Sequence, residues 1–286
     1  MKNIKTQIIK LLGDHKNWVS GETISQQFGI SRAAIGKHIN ALRKEGYLIQ
    51  AVTRRGYLLK QAPDTIELKK IQYQSNTQLL GHAQWFLLPE TSSTNQEAIL
   101  KAIAGAPEGS IIIASKQTAG RGTKGKTWFS APRSIYFSVI LRPAFNLEKL
   151  PLLINMGMLA TQDTLKKVTH LKTTLQQPND IYINDRKIAG VSIEASIISH
   201  EIDWAVLGIG CNLNVEISEF PAQMQPHATS TLHETRQLIE RNLFYKILIQ
   251  QLDYYYYLLS DQTEQFQKIW QSRFKYGTAN KAISTS

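Results

Sequence analysis

The first sixty residues alternate apolar helical periodicity with glycine, a pattern that predicts three short helices. A first helix is indicated by apolar residues at i, i+4, i+7 and i+8: Ile4, Ile8, Leu11 and Leu12. A second begins after Ser20, which is suited to cap a helix N-terminus, and stops at Gly29. A third begins after Ser31 and ends at Gly46. Two helices joined by a tight turn at residues 28–31 predict a helix-turn-helix.

The charge of this N-terminal segment indicates that it binds nucleic acid. It holds eleven Lys and Arg against three Asp and Glu, whereas the rest of the chain holds 22 against 19. Residues 47–59 alternate around a basic turn, as a two-stranded wing would. In such modules the third helix enters the major groove and the wing reaches the backbone or minor groove. We therefore expect DNA-binding side chains on both elements: Arg32, Lys37, Asn40, Arg54 and Arg55. A three-helix module that contacts proteins is the alternative, which the charge disfavours.

The rest of the chain mixes strands with helices. We place a winged helix-turn-helix domain at residues 1–62, with a linker around Pro63, and a larger domain at residues 63–272. Strands are predicted at 84–88, 110–114, 135–141, 188–193 and 204–209, and helices at 95–103, about 152–167 and across 234–259. This order predicts an α/β or α+β domain with a mixed or antiparallel sheet.

Composition sets the cellular context. Cys211 is the only cysteine, so no disulfide forms within the chain. No apolar run is long enough to span a bilayer, and the first residues lack the pattern of a signal peptide. We therefore expect a cytoplasmic protein without a membrane partner.

Residues 120–127, GRGTKGKT, satisfy the P-loop spacing G-x-x-x-x-G-K-[ST]. A true P-loop leaves a strand and opens a helix whose N-terminal amides hold phosphate. Here Pro132 follows five residues after Thr127, and a β-rich run comes next. Because proline and a strand leave no room for that helix, we interpret the match as a coincidence of spacing.

The same loop fits a different pattern. AGRGTKGKTWFS resembles the glycine-arginine loop GRGRxGRxW of biotin–protein ligases. The resemblance continues along the chain in SRAAIGKHINALRKEG, ETSSTNQEA, QTAGRG, PNDIYINDRKIAG and GIGCNLNV. Together with the helix-turn-helix, these ordered motifs resemble the family of bifunctional biotin–protein ligases and biotin-operon repressors. An α+β fold, a winged helix-turn-helix followed by a mixed or antiparallel ligase sheet, is what the resemblance implies.

The resemblance implies a reaction in two steps. Biotin and ATP form biotinyl-adenylate, with Mg²⁺ as the metal of the nucleotide, and a lysine of a biotin carboxyl carrier protein then takes the biotin. It also implies that the liganded chain forms a homodimer on a DNA operator. The reaction requires a dry pocket, and cations or backbone amides around the developing phosphate charge.

The resemblance implies binding and catalytic roles for specific residues. The biotin-binding set is Ser93, Thr94, Asn95, Gln117, Arg121, Gly122 and Thr123. The nucleotide-binding set is Trp128, Asn179, Asp180 and Asn212. For Trp128, a plain core role is as reasonable as a role at the loop or ligand. Lys187, Arg121 and Gln176, which stands at the position of a family lysine, are expected to carry catalysis.

The sequence departs from the family at three places. Gln176 stands where the family motif KWPND has lysine, so a positive charge at the reacting phosphate is missing. By analogy with oxyanion-hole donors, an uncompensated loss is worth about 3–4 kcal/mol. Thr123 replaces the second arginine of the glycine-arginine loop. Residues 273–286 stand about where the small C-terminal β domain of the family would begin, so that domain is expected to be missing.

Three interpretations follow from the sequence. The first is a working or weakened biotin–protein ligase that also represses transcription. The second is a repressor that senses biotin or its adenylate but does not ligate, favoured by Gln176, Thr123 and the expected absence of the C-terminal domain. The third is a degenerate or truncated paralogue with neither activity. The nearly complete biotin-pocket set disfavours the third, and Lys187 tips the balance narrowly towards the enzyme.

Overall fold

A computed structural model describes residues 4–15, 17–61, 64–72, 76–122 and 127–274. The chain divides into two compact units, Met1–Thr65 and Ile66–Ser286. The first is a three-helix unit with a two-stranded sheet, and the second carries a seven-stranded sheet with helices on both faces. The predicted α+β class is therefore confirmed.

The three N-terminal helices begin and end where local chemistry directs. They are α1 (Ile4–His15), α2 (Gly21–Phe28) and α3 (Arg32–Lys44). Ser20 and Ser31 cap α2 and α3, each accepting a hydrogen bond from the main chain three residues on, at 3.0 and 3.2 Å. Gly29 ends α2 in the left-handed conformation, with φ 64°. The predicted helix-turn-helix is present.

The predicted wing is a hairpin of β1 (Leu48–Val52) and β2 (Gly56–Gln61). Gly56 has φ 98°, and a Cβ there would lie 2.1 Å from the carbonyl oxygen of Val19, so glycine is required. The guanidinium of Arg43 donates to the carbonyl oxygen of Ile49 at 3.0 and 2.7 Å. This contact fixes the wing to α3.

The second unit is organised around one mixed sheet. Its strands are β3 (Trp85–Leu88), β4 (Ile111–Ala114), β5 (Ile135–Leu141), β6 (Thr174–Gln176), β7 (Asp180–Ile183), β8 (Arg186–Ile198) and β9 (Glu201–Cys211). The strand order is β3-β4-β5-β9-β8-β7-β6, with β3 and β4 parallel and every other pair antiparallel. All five predicted strands are present, but β8 and β9 are longer than predicted, and β6 and β7 were not predicted.

The helices of this unit are α4 (Leu68–Gln72), α5 (Thr94–Ile103), α6 (Leu152–Thr169), α7 (Thr231–Thr235), α8 (Arg241–Asp261) and α9 (Thr263–Arg273). The prediction of one helix across 234–259 was wrong at its start. Arg236 ends α7 with φ 58°, and the side chain of Asn214 then bonds both main-chain groups of Ile239, at 2.9 and 2.8 Å. Within the described residues, no helix is long and apolar enough to cross a membrane.

The helices cover the two faces of the sheet unequally. On one face α6 and α8 pack over the sheet and bury the predicted stripe of α8: Phe244, Leu248, Leu252, Tyr255 and Leu259. Cys211 lies fully buried in that core. On the other face α5 contacts β4, β5 and β9 and packs through Ala98 and Ala102. Because α5 is short, it does not cover this face of β8. A cavity lies over β8 beside the N-terminus of α5.

Candidate active site

The cavity has a volume of about 310 Å³ and lies on the α5 face of the sheet, above β5, β9 and β8. It is lined by Ser93, Thr94, Asn95, Gln117, Arg121, Gly122, Thr127, Trp128, Tyr136, Pro178, Asn179, Asp180, Lys187, Gly190, Val191, Ser192, Gly208, Ile209 and Gly210. Sequence segments more than a hundred residues apart thus meet in one place. The volume falls at the lower end of the range for small-molecule sites.

One end of the cavity is a hydrogen-bonded row across three strands. Ser138, Gly208 and Ser192 are neighbours in the register of β5, β9 and β8, and the amide of Asn95 lies above Gly208. Asn95 Oδ1 accepts from Ser138 Oγ at 2.6 Å, and Asn95 Nδ2 donates to Ser192 Oγ at 3.0 Å. A Cβ on residue 208 would lie 2.0 Å from Asn95 Oδ1, so only glycine leaves room for the amide.

Gln117 continues this network along the wall. Its Oε1 accepts from the main-chain N–H of Thr94 at 2.8 Å and from the Thr94 hydroxyl at 3.1 Å. Its Nε2 donates to Ser130 Oγ at 3.2 Å. All of these side chains are buried or half-buried, so their mutual bonds offset the loss of water contacts. We call Asn95, Thr94, Gln117, Ser138 and Ser192 the polar end.

The next row across the sheet supports an indole ring. Tyr136, Gly210 and Gly190 are register neighbours, and Trp128 lies over the two glycines. A Cβ on Gly210 would come within 2.6 Å of the ring, and one on Gly190 within 3.1 Å. Trp128 therefore lies at the cavity rather than in the core. Burial raises the pKa of Tyr136, whose phenol stays protonated and donates to the carbonyl oxygen of Ala131.

The opposite end of the cavity carries a cation. Lys187 Nζ lies 2.6 Å from Asp180 Oδ1 and 5.3 Å from the centre of the Trp128 ring. The main chain of Lys187 is held by a separate segment, because its N–H donates to the carbonyl oxygen of His227 at 2.7 Å and its carbonyl accepts from Thr229 N at 2.9 Å. We call Lys187, Asp180 and Trp128 the basic end.

The other residues expected to bind biotin are Ser93 and the loop residues 121–123. Ser93 is buried at the start of α5, and Arg121 and Gly122 reach the cavity from the loop, with the main chain of Arg121 bridged to Thr127. Thr123 lies outside the described residues. The P-loop interpretation finds no support, since β5 follows Thr127 without an intervening helix.

Of three further residues assigned through the resemblance, Asn179 lines the described cavity, whereas Asn212 and Gln176 do not. The Asn179 side chain lines the cavity and donates to the carbonyl oxygen of Val191. Asn212 is buried and donates to the carbonyl oxygen of Thr229 at 3.0 Å, and it is not among the described residues that line the cavity. Gln176 is exposed at the end of β6 and is likewise absent from that lining. Their functional roles stay predictions.

Sequence reasoning missed the strand residues that form the floor. Tyr136, Ser138, Gly190, Ser192 and the pair Gly208 and Gly210 received no role, although they hold Asn95 and Trp128. The one available signal was the spacing of glycine at 208 and 210 in an apolar strand, which indicates a close approach of another group.

The side chains expected to bind DNA are exposed on the first unit. Lys37 and Asn40 are exposed on α3, and Arg54 and Arg55 are exposed at the turn of the wing. Arg32, also exposed on α3, lies 3.5 Å from Glu22. Arg55 Cζ lies 5.8 Å from the centre of the Trp18 ring, within reach of a cation–π contact.

Comparison with known proteins defines the class. The model of the Biotin/lipoate A/B protein ligase family matches residues 87–212, and an HTH domain model matches residues 5–58. A similar solved structure is the biotin protein ligase from Aquifex aeolicus in complex with biotin and ATP. It shares 26% identity and a TM-score of 0.56, with 68% of this chain and 79% of that chain covered.

Two relatives identify the branch of that class. The bifunctional ligase/repressor BirA of Bacillus subtilis (strain 168) is 34% identical over 241 residues, with 83% of this chain and 74% of that protein covered. The protein of the same name in Escherichia coli (strain K12) is 32% identical over 254 residues, with 87% and 75% covered. The chain belongs to the family of bifunctional biotin ligase/repressor proteins, so the predicted resemblance is confirmed.

Proposed function

We propose that this chain is an ATP-dependent biotin–protein ligase that also acts as a DNA-binding repressor. The observation that carries the proposal is one cavity with two chemically different ends, a hydrogen-bonding polar end and a basic end. A neutral urea group suits the first, because buried amides and hydroxyls satisfy its donors and acceptor. A phosphate suits the second. Family membership and similarity to a biotin- and ATP-bound ligase support the same assignment.

The chemistry would proceed by two substitutions. A carboxylate oxygen of biotin attacks the α-phosphorus of ATP, the bond to the bridging oxygen breaks, and pyrophosphate leaves. The amine of a carrier-protein lysine then attacks the acyl carbon and displaces AMP. Lys187 Nζ supplies positive charge where the first step concentrates negative charge on phosphate oxygens, and Arg121 supplies a second cation from the loop.

Magnesium would arrive with the nucleotide. Within the described residues no group of three or more His, Cys, Asp or Glu side chains could hold a metal ion. Among the described residues that line the cavity, Asp180 is the one carboxylate. This set fits Mg²⁺ held mainly by phosphate oxygens and water, with at most one protein carboxylate. The metal would neutralise phosphate charge when bound.

The ligase proposal is tested by pyrophosphate exchange. With biotin, ATP and magnesium, labelled pyrophosphate should enter ATP, and omission of biotin should abolish the signal. Biotin binding without exchange would identify the protein as a biotin-sensing repressor instead, which is the alternative that Gln176 favours. Absence of both biotin binding and exchange would contradict both functions.

The DNA-binding proposal rests on the exposed cations of α3 and the wing. Lys37→Ala should weaken operator binding and reduce the slope of log affinity against log salt by about 0.9, the value for one phosphate contact in duplex DNA. Lys10→Ala is the matched control, because Lys10 is also exposed but lies on α1. Equal effects of the two substitutions would argue against this DNA surface.

We also propose that the liganded protein forms a homodimer. Among the described residues, positions 192–198 of β8 pair with β9 on one side and with no strand on the other. Ile197 and Ile198 at this edge are 49% and 59% exposed. An open strand edge with apolar side chains suits addition of a second sheet. Sedimentation velocity should show a monomer alone and a dimer with biotin and ATP.

A further inference from the structure

The amide of Asn95 is engaged at both of its ends. Its Nδ2 lies 3.0 Å from Ser192 Oγ and 3.3 Å from Glu194 Oε1, and its Oδ1 lies 2.6 Å from Ser138 Oγ. Both N–H donors are therefore used by the protein. One lone pair of Oδ1 is left, because a carbonyl oxygen accepts two hydrogen bonds.

The orientation of this amide follows from its neighbours. An ionised carboxylate only accepts hydrogen bonds, so the atom facing Glu194 has to be the nitrogen. Ser192 Oγ faces the same nitrogen and therefore accepts from it. A serine hydroxyl that accepts still has its own hydrogen to donate.

The Ser192 hydrogen differs from those of the neighbouring hydroxyls. Thr94 donates to Gln117, Ser138 lies within hydrogen-bond distance of Asn95 and Thr94, and Ser130 donates to the carbonyl oxygen of Trp128. The described residues offer the Ser192 hydrogen no acceptor, and Ser192 lines the cavity. This donor is therefore available to a ligand.

We propose that Ser192 is a specificity-determining residue that reads the ligand beside Asn95. Its hydroxyl accepts from Asn95 Nδ2 and donates its hydrogen to a carbonyl oxygen of the ligand. The free lone pair of Asn95 Oδ1 accepts from an adjacent ligand N–H. A donor beside an acceptor selects a group with N–H next to C=O, as in a cyclic urea. The assignment deepens the proposed function and rests on biotin as the ligand.

The test compares two probes that differ in the atom read by Ser192. Biotin has a ureido carbonyl oxygen, whereas protonated 2-iminobiotin has an N–H donor in its place. Calorimetry on the full chain should show that Ser192→Ala lowers the preference for biotin over 2-iminobiotin by about tenfold, the worth of one hydrogen bond. Ser192→Thr keeps the hydroxyl and should keep the preference.

Two further variants separate this role from a structural one. Ser192→Cys has a similar size but a weak donor, so it should also lower the preference. Ser115→Ala is the matched control, since Ser115 is half-buried like Ser192, follows β4 and does not line the described cavity. It should leave both affinities unchanged.

The outcomes distinguish the inference from the proposed function. If the unaltered protein binds biotin and Ser192→Ala and Ser192→Cys keep its preference, the inference is overturned and the ligase proposal stands. An equal loss of affinity for both probes overturns it as well, because Ser192 would then act only by holding Asn95. Failure of the unaltered protein to bind biotin overturns both.

Discussion

The two ends of the cavity are held together by different interactions. At the polar end, Asn95 and Gln117 are held by hydrogen bonds from several elements, and a glycine leaves room for the Asn95 amide. At the basic end, one lysine side chain reaches over an indole ring to a single carboxylate. The polar end is a preformed network, whereas the basic end depends on one ion pair beside an indole ring.

This difference separates binding from chemistry. A preformed network contributes to ground-state binding, because its groups are in place before the ligand arrives. A cation placed where charge develops contributes to the reaction step. Variants at the two ends should therefore change different measured quantities, the dissociation constant for biotin at one end and the exchange rate at the other.

The largest effect is expected for Lys187→Ala. Removal of the cation should lower pyrophosphate exchange about 10²–10³-fold, as for loss of one electrostatic group at a transition state. Biotin affinity, measured by calorimetry, should change less than about threefold, because the polar end is untouched. Lys149→Ala is a matched control, since Lys149 Nζ lies 5.8 Å from the centre of the Phe145 ring, away from the cavity. Unchanged exchange in Lys187→Ala would remove the basic end from the chemistry.

An intermediate effect is expected for Gly208→Ala. The added Cβ would displace the Asn95 amide without deleting a polar atom, so biotin affinity should fall about 10- to 100-fold. Exchange at saturating biotin should change far less. The double variant Gly208→Ala and Asn95→Ala should bind biotin about as weakly as either single variant, because both act on one amide. Additive losses would show that Gly208 acts by another route.

The smallest effect is expected for Gln176→Lys. The side chain is exposed and outside the described lining, so a new charge would act through solvent, where two charges 4 Å apart gain about 1 kcal/mol. Exchange should rise no more than about fivefold. Gln177→Lys, at the adjacent exposed position, is the control. A gain of 10²-fold or more would mean that residue 176 moves into the site during the reaction.

The first unit was predictable because its signals are local. Ser20, Ser31 and Gly29 determine helix ends through contacts within five residues. The start of α8 was predicted wrongly because residues 234–240 contain no glycine or proline to signal a helix end, while Arg236 in the left-handed conformation ends the preceding helix. Periodicity carries no information about that backbone conformation.

The cavity floor was not predictable because the contacts that form it are long-range rather than local. Ser138, Gly208 and Ser192 come together only through the register of three antiparallel strands, in which each strand contributes one residue to the row. Motif resemblance identified Asn95, Gln117 and Lys187, because they lie in recognisable segments. Ser138 and Ser192 lie in strands outside those segments, and Gly208 lies in the segment GIGCNLNV but received no role, so their roles depend on long-range pairing.

Because Cys211 is buried, the rate at which a thiol reagent labels it measures how often the surrounding structure opens. Burial raises the pKa of the thiol and encloses it in the core covered by α6 and α8, so labelling requires that core to open. As Cys211 is the chain's single cysteine, the rate of labelling by a thiol reagent reports that one event. Biotin should slow labelling by the factor 1 + [biotin]/Kd when opening removes the ligand site, which turns a chemical modification rate into a measure of affinity.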